Sequence, residues 1–567
     1  MTRRRTTPAT TGRVMARAPD SVPDTGPPPA PPPPPSRKRW LVPLLAVVLL
    51  AQMAVAMVTT AVQQTPTIDE PVYVGTAAVQ LQEHRLRLNP EHPPLGKLLV
   101  GAGVALADPR VDTSFEGDQG EVGRHLLYES GNDPWRLMLF ARLPVIVLTL
   151  LFGLVVFVFA RELAGPAAGL AALALYCFSP DVIAHGSLAT LDVPAAGFLL
   201  TSVWLLWRAR GRPRLFLPLA GAALGASLAT KMSSLPAVPV LAALAAVSVW
   251  CGSAGADRRR ALARAAAGAA VVTLTAVAVV WVTYLAVDPR LRWAPQQPVP
   301  EVRGLRGLAV ELLPFPEAYR DGMRIQLAFE NRPWQGFLFG RLYTGSLWYY
   351  LPAALLVKTP LGMLVLWAAG AVTVVAVRRL RPAAPYLLVP TAVLLAAAMQ
   401  GSRDFGTRYA VFVPMFLAVA AGCVTALRTR RAAAVTGVLV ACVAVSSLRT
   451  FPYYLPYSNE AFGGPARTHL RLHDAAVDWG QDLGRLADRL REEYRGERIW
   501  LVYKGSGVPS YYGIDAADPR KVPARDVRGL LVVSDSSAAK ATGRLAELIH
   551  SSRPIDTVGH SITIYRR

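Results

Sequence analysis

Short arginine-rich stretches cut this chain into a series of long apolar runs, and that series decides what it can fold into. The runs cover residues 40–62, 137–160, 166–178, 188–207, 215–229, 236–250, 263–287, 360–377, 384–399, 409–427 and 432–448. Most approach the ~20 residues that a helix needs to cross a hydrocarbon core. Backbone polar groups in lipid must be satisfied within their own segment, so such runs are read as helices. The expectation is an all-α polytopic membrane protein with about eleven transmembrane helices. The first run carries no charge, follows Arg37-Lys38-Arg39, and has no A-x-A site close behind, which favours a signal anchor over a cleaved signal peptide.

The connections assign the sides. Counting from a cytoplasmic N-terminus, alternate loops carry Arg208/Arg210/Arg212/Arg214, Arg258/Arg259/Arg260/Arg264, Arg378/Arg379/Arg381 and Arg428/Arg430/Arg431. All these basic loops then fall inside, as the positive-inside tendency requires. The formal charge of +22 therefore belongs to membrane topology, and nucleic acid is not expected as a partner. The side-chain balance, 52% hydrophobic against 17% charged, also excludes an ordinary soluble chain. Cys177, Cys251, Cys423 and Cys442 lie in or beside apolar runs without paired or metal-binding spacing.

Three regions follow. Residues 1–39, with the run PPPAPPPPP, read as a disordered Pro/Arg-rich cytoplasmic segment. Residues 40–448 form the membrane unit, with large outer loops at 63–136 and 288–347. The segments 95–107 and 347–357 within or just after those loops are apolar but short, which predicts interfacial helices. Residues 449–567 lose the long apolar runs and read as a small extracytoplasmic α/β domain. Its helices are expected at 475–494 and 538–551 and its strands at 499–503, 529–534 and 561–565.

The chemistry-bearing residues collect on the outer side. TPTIDEPVY places Asp69 and Glu70 just beyond the first span; they read either as a helix-capping pair or as carboxylates facing a cation, a metal or a substrate proton. NPEHPPLGK adds Glu91, His92 and Lys97, and a carboxylate beside an imidazole can ligate a metal or meet an anion. SPDVIAHGSLATLDVP carries Asp181, His185 and Asp192, the last being either a helix-terminal carboxylate or a group lining a wet cavity. Lys231 sits at an outer span end, where snorkelling is the plain alternative. Later outer segments bring Tyr349, Tyr350 and Lys358, then Arg403, Arg408 and Tyr409. Aromatic residues at that level commonly form an interface belt, whereas outer arginines call for another reason, and phosphate suits their planar fork. Carboxylates and cations beside apolar walls fit a lipid-linked phosphate sugar: walls for the polyprenyl chain, cations for the phosphate, a carboxylate for the acceptor hydroxyl.

Taken together, TPTIDEPVY, NPEHPPLGK, AHGSLATLDVP, GTRY, FPYYLPYSNEAFGGP, DWGQDLGRL and YYGI resemble the polyprenyl-phosphate-dependent glycosyltransferases of family 39. These are integral-membrane enzymes with the GT-C fold, similar to protein O-mannosyltransferases and the lipid A aminoarabinose transferase. The resemblance implies catalytic roles for Asp69, supported by Glu70, and for Asp192. It places Glu91, His92, Arg408 and Tyr409 on the donor phosphate side, with Glu91 able to help hold a divalent metal; Lys231, Lys358 and Arg403 join them as cations whose charge suits a phosphate. His185, Tyr349, Tyr350, Asp478 and Trp479 are candidates on the substrate side. DAAVDWGQD departs from the DSNLDWGQD form of bacterial relatives by losing the middle asparagine. The sugar-binding repeat of the eukaryotic mannosyltransferases has no counterpart.

The function expected is transfer of one sugar, with inversion, from a polyprenyl phosphate to a hydroxyl of a protein, lipid or glycan on the extracytoplasmic face of a plasma membrane. No organic cofactor is expected, and metal use stays open. A lipid or sugar transporter would instead place charged or broken elements at the bilayer midplane. A membrane-anchored binding protein would put its work in the tail.

Overall fold

The structure is a computed structural model that describes residues 40–252 and 257–567. The segment assigned to 1–39 lies outside the described residues. Each of the eleven apolar runs is helical. In chain order these helices are α1 (Leu41–Gln63), α2 (Pro134–Ala164), α3 (Pro166–Cys177), α4 (Asp192–Ala209), α5 (Pro213–Thr230), α6 (Ala237–Cys251), α7 (Arg258–Val287), α8 (Leu361–Ala376), α9 (Ala384–Ala398), α10 (Phe412–Gly422) and α11 (Arg430–Thr450). Among the described residues, five helices are long and apolar enough to cross a membrane, or up to seven if each bent pair counts as one span. The expected count of eleven is therefore not confirmed, but a multi-pass membrane protein is. Exposed leucine and valine faces on α1, such as Leu44, Val48 and Val55, and on α7, such as Leu274 and Val282, suit lipid contact.

Proline punctuates the bends. Pro180 opens the short helix Pro180–Gly186, which leaves α3 at 62°. Pro360 separates Tyr350–Lys358 from α8 at 119°. Both short apolar segments are helical, as Pro94–Ala107 and Tyr350–Lys358. The 288–347 loop also contains a hairpin, β1 (Gln335–Leu338) with β2 (Arg341–Thr344), that the sequence reading did not anticipate.

The tail carries a sheet of four strands, β3 (Ile499–Val502), β4 (Leu530–Ser534), β5 (Arg553–Val558) and β6 (Ile562–Arg566), in the order β3-β4-β6-β5. β3 and β4 are parallel and the other pairs antiparallel. β4 is buried throughout, because Leu530 and Val532 pack against Leu483, Leu486 and Leu490 while Leu531 and Val533 pack against Trp500 and Leu548. Three expectations are corrected. The helix set at 475–494 begins only at Leu483, since Gly480 takes φ +89°. The helix at 538–551 is two pieces, Asp535–Ala539 and Gly543–His550. β5 was missed because RPIDTV contains a proline and exposes most of its length.

Candidate active site

Two backbone hydrogen bonds join the tail to the 63–136 loop: Thr65 N–H donates to Gln481 O and Ile68 N–H to Trp479 O, each at 3.0 Å. They bring DWGQD beside Asp69. Within the tail Gly480 packs closely, since a Cβ there would stand 2.7 Å from Gly505 Cα. Gly406, at φ +108°, lets the segment before Arg408 pass close to the Ala475–Ala476 backbone of the tail, since a Cβ there would stand 2.9 Å from Ala476 N.

Asp69 itself is set by its neighbour. Glu70 is buried, and its two oxygens accept from Arg142 Nε at 2.8 Å and Nη2 at 2.7 Å, from Thr67 N–H at 2.9 Å and from Ala189 N–H at 2.7 Å. Burial alone would raise this carboxyl, but the guanidinium and the two amides hold it below the usual glutamate range. The Arg142 Nη1 group closes the knot on the carbonyls of Ala61 and Gln64, at 2.6 and 2.8 Å. Glu70 is thus fully engaged in tying α2 to the exit of α1. With both oxygens occupied, the support expected of Glu70 for Asp69 is one of position.

Asp69 remains 28% exposed at its side chain and accepts from Arg408 Nη1 at 2.6 Å. Arg408 stacks over Trp479, 4.5 Å from the ring centre, and over Tyr409 at 5.0 Å. Its Nη2 donates to the Tyr409 hydroxyl at 3.1 Å, while its Nε is buried without an acceptor. Lys231 pairs with Asp192 and lies 5.3 Å over the opposite partner of this set, the Tyr409 ring. Tyr73, one helical turn after Asp69, is buried within electrostatic reach of Asp69, Arg408, Asp192 and Glu91. Its ring meets His92 edge-on at 5.6 Å. Burial, Lys231 and Lys97 push the His92 imidazole well below its ordinary value, so it is neutral and adds no charge. The structure therefore brings Asp69, Asp192, Lys231, Arg408, Tyr409, His92 and Trp479 together, with His185 against Trp479 at 6.2 Å between ring centres.

Other expected residues are spoken for elsewhere. The Lys358 ammonium is buried, donates to Leu455 O at 2.5 Å and Ala476 O at 3.0 Å, and pairs with Asp181 at 3.5 Å. It fastens the helix Tyr350–Lys358 to the tail, so its ammonium is already engaged where a phosphate contact was expected. Arg403 is met by Glu330, at 2.9 Å, and by Gln326, at 2.7 Å, so its charge is already balanced. Glu91 accepts from Gln119 at 2.8 Å. Tyr349 is exposed and Tyr350 buried, so only one of the pair borders solvent. Asp478 is buried, accepting from Gly480 N–H and Ser536 N–H, and burial pushes its carboxyl up to about 7. Sequence reasoning missed Arg142, Glu330 and Tyr73. Only Tyr73 left a signal, its spacing of one turn from Asp69.

Residues 46–289 match the family model described as dolichyl-phosphate-mannose-protein mannosyltransferase. That stretch, under half of the chain, includes Asp69, Glu91, Asp192 and Lys231. No curated protein matches the sequence. Among solved structures, the chain is similar to the protein O-mannosyltransferase Pmt1-Pmt2 complex of S. cerevisiae bound to the sugar donor, at 18% identity over 44% of this chain and 34% of that one, TM-score 0.37. It is similar to ArnT from Cupriavidus metallidurans bound to undecaprenyl phosphate, at 17% identity over 94% and 98% of the two chains, TM-score 0.47. The oligosaccharyltransferase AglB from Archaeoglobus fulgidus, in complex with an inhibitory peptide and a dolichol-phosphate, aligns at 11% identity over 82% and 59%, TM-score 0.42. The aligned part spans about a third of the yeast chain. At these scores none of the three carries an argument about the site.

Proposed function

We propose that this chain, which over residues 46–289 carries the pattern of the dolichyl-phosphate-mannose-protein mannosyltransferase family, is a membrane glycosyltransferase that moves one sugar from a polyprenyl phosphate to an acceptor hydroxyl. The observation that carries the reading is the Asp69 carboxylate held 2.6 Å from Arg408, with Lys231 and Tyr409 alongside. A general base for the hydroxyl and cations for the departing phosphate are what direct displacement at an anomeric carbon requires. Attack from the face opposite the phosphate inverts that carbon. The leaving group is already an anion, so Arg408 and Lys231 stabilise it without a proton donor. Asp192 holds the Lys231 ammonium in place. The GT-C arrangement, the catalytic unit at 40–448 and the soluble unit at 449–567 belong to the same reading. Nothing in the family match favours a transporter.

A divalent metal fits poorly on the residues present. Among the described residues no three of His, Cys, Asp and Glu come together, and Glu91 is already engaged by Gln119. No step is assigned to one.

Donor capture tests the phosphate side. Arg408→Ala is expected to weaken binding of a polyprenyl-phosphate sugar to the purified protein roughly tenfold or more, the size of a lost charge-assisted hydrogen bond. Unchanged donor affinity would remove Arg408 from the phosphate site. Orientation has its own check. With the N-terminus inside and the tail outside, a cysteine at exposed Asp515 should react with an impermeant maleimide on intact cells. Protection until permeabilisation would reverse the topology and put the site on the other face.

A further inference from the structure

A second cationic cluster lies on the tail, outside the set around Arg408. Lys504 follows β3 and pairs with Asp474; Lys540 follows the helix Asp535–Ala539 and lies 5.1 Å over the ring of Phe405, three residues before Arg408. Ser506, two residues beyond Lys504, donates to Thr67 O at 2.8 Å, two residues before Asp69. Asp474 is within electrostatic reach of Arg408 as well as Lys504. The lysines therefore continue the row that starts at Arg408, on the side of the tail.

The charges in this cluster do not balance. Asp474 is engaged by Lys504, and Asp478, the other carboxylate acting on Lys504, is buried and drawn toward neutrality. Lys540 feels Lys504 and Asp474 but has no hydrogen-bond acceptor for its ammonium among the described residues. Burial, with Lys504 beside it, pulls its pKa down to about 8. His473, against Phe405 at 6.2 Å, is held neutral by burial and supplies no counter-charge. A half-buried ammonium with three unused donors beside a second lysine is a site for an anion.

We infer that Lys504 and Lys540 form an acceptor subsite, and that the acceptor carries an anionic group, a phosphate or a sugar carboxylate, on the aqueous side of the hydroxyl that is glycosylated. The inference rests on Asp69 as the group that activates the acceptor. Trp334, edge-on to Phe405 at 5.6 Å, bounds the same place and offers an apolar wall for a sugar ring.

Two readouts test it on the full-length protein. In the first, lysines are acetylated with a limiting amine-directed reagent and followed by mass spectrometry, with inorganic diphosphate or glucuronate present, against sodium chloride at equal ionic strength. At least one anion should slow modification of Lys504 and Lys540 while exposed Lys521 is unaffected, and the one that protects identifies the group. In the second, Lys504→Gln and Lys540→Gln together should raise the KM for acceptor in native membranes roughly tenfold or more, with donor KM and kcat little changed. Lys540→Arg should keep most of the affinity. Equal modification in all three salts, or a rise in donor KM in place of acceptor KM, would overturn the subsite. Absence of transfer by the unaltered protein would instead strike the glycosyltransferase reading, and the protection result would still stand.

Discussion

Asp69→Asn is expected to insert into the membrane and bind donor normally while transferring sugar at least about a hundredfold more slowly, the usual scale for loss of a general base. The amide keeps nearly the same volume and can still meet the Arg408 guanidinium through its oxygen, so little packing changes. What it cannot do is take the acceptor proton. Asp69 is the carboxylate to test because its neighbour is unavailable: Glu70 has both oxygens committed to Arg142, Thr67 and Ala189. Transfer assayed at saturating donor and acceptor separates this loss from weaker binding. A rate near that of the unaltered protein would take Asp69 out of the chemistry and leave Asp192 as the base to examine.

Glu70→Ala should behave differently, as a failure of the fold. Glu70 and Arg142 are both buried, and removing one partner of such a pair strands the other charge, which typically costs about 3–5 kcal/mol. Arg142 would also lose the contact that orders it against Ala61 and Gln64, loosening the exit of α1 that presents Asp69. Thermal unfolding in detergent should show a clear drop in Tm for Glu70→Ala and for Arg142→Met. The double variant Glu70→Leu/Arg142→Met should recover part of it, because no buried charge is left alone. A Tm unchanged in Glu70→Ala, with transfer lost, would return Glu70 to the reaction.

These two neighbours show where the sequence speaks and where it is silent. Helices in lipid are fixed by local hydropathy, so all eleven runs could be placed from the chain alone, though not which of them cross fully. Strand positions at 499–502, 530–534 and 562–566 were legible for the same local reason, an unbroken β-branched or aromatic stretch. Side-chain partnership is not local. Glu70 meets Arg142 across 72 positions, Asp69 meets Arg408 across 339, and Lys358 reaches Ala476 across 118. No spacing rule covers such distances, which is why the sequence places Lys358 and Arg403 with the phosphate ligands and does not reveal their partners. The family resemblance marked Asp69, Asp192 and Arg408, but the pairing of Asp69 with Arg408 came from the structure.

The central claim is that a sugar leaves a polyprenyl phosphate for an acceptor. Purified protein incubated with radiolabelled polyprenyl-phosphate sugars and native membranes measures it directly. The prediction is that label from one donor moves into a product that is no longer extractable as the lipid phosphate, with the anomeric configuration inverted, and that Asp69→Asn slows the movement at least about a hundredfold. Label that stays on the polyprenyl phosphate for every donor, or that merely crosses a sealed vesicle still attached to its lipid, would contradict the account.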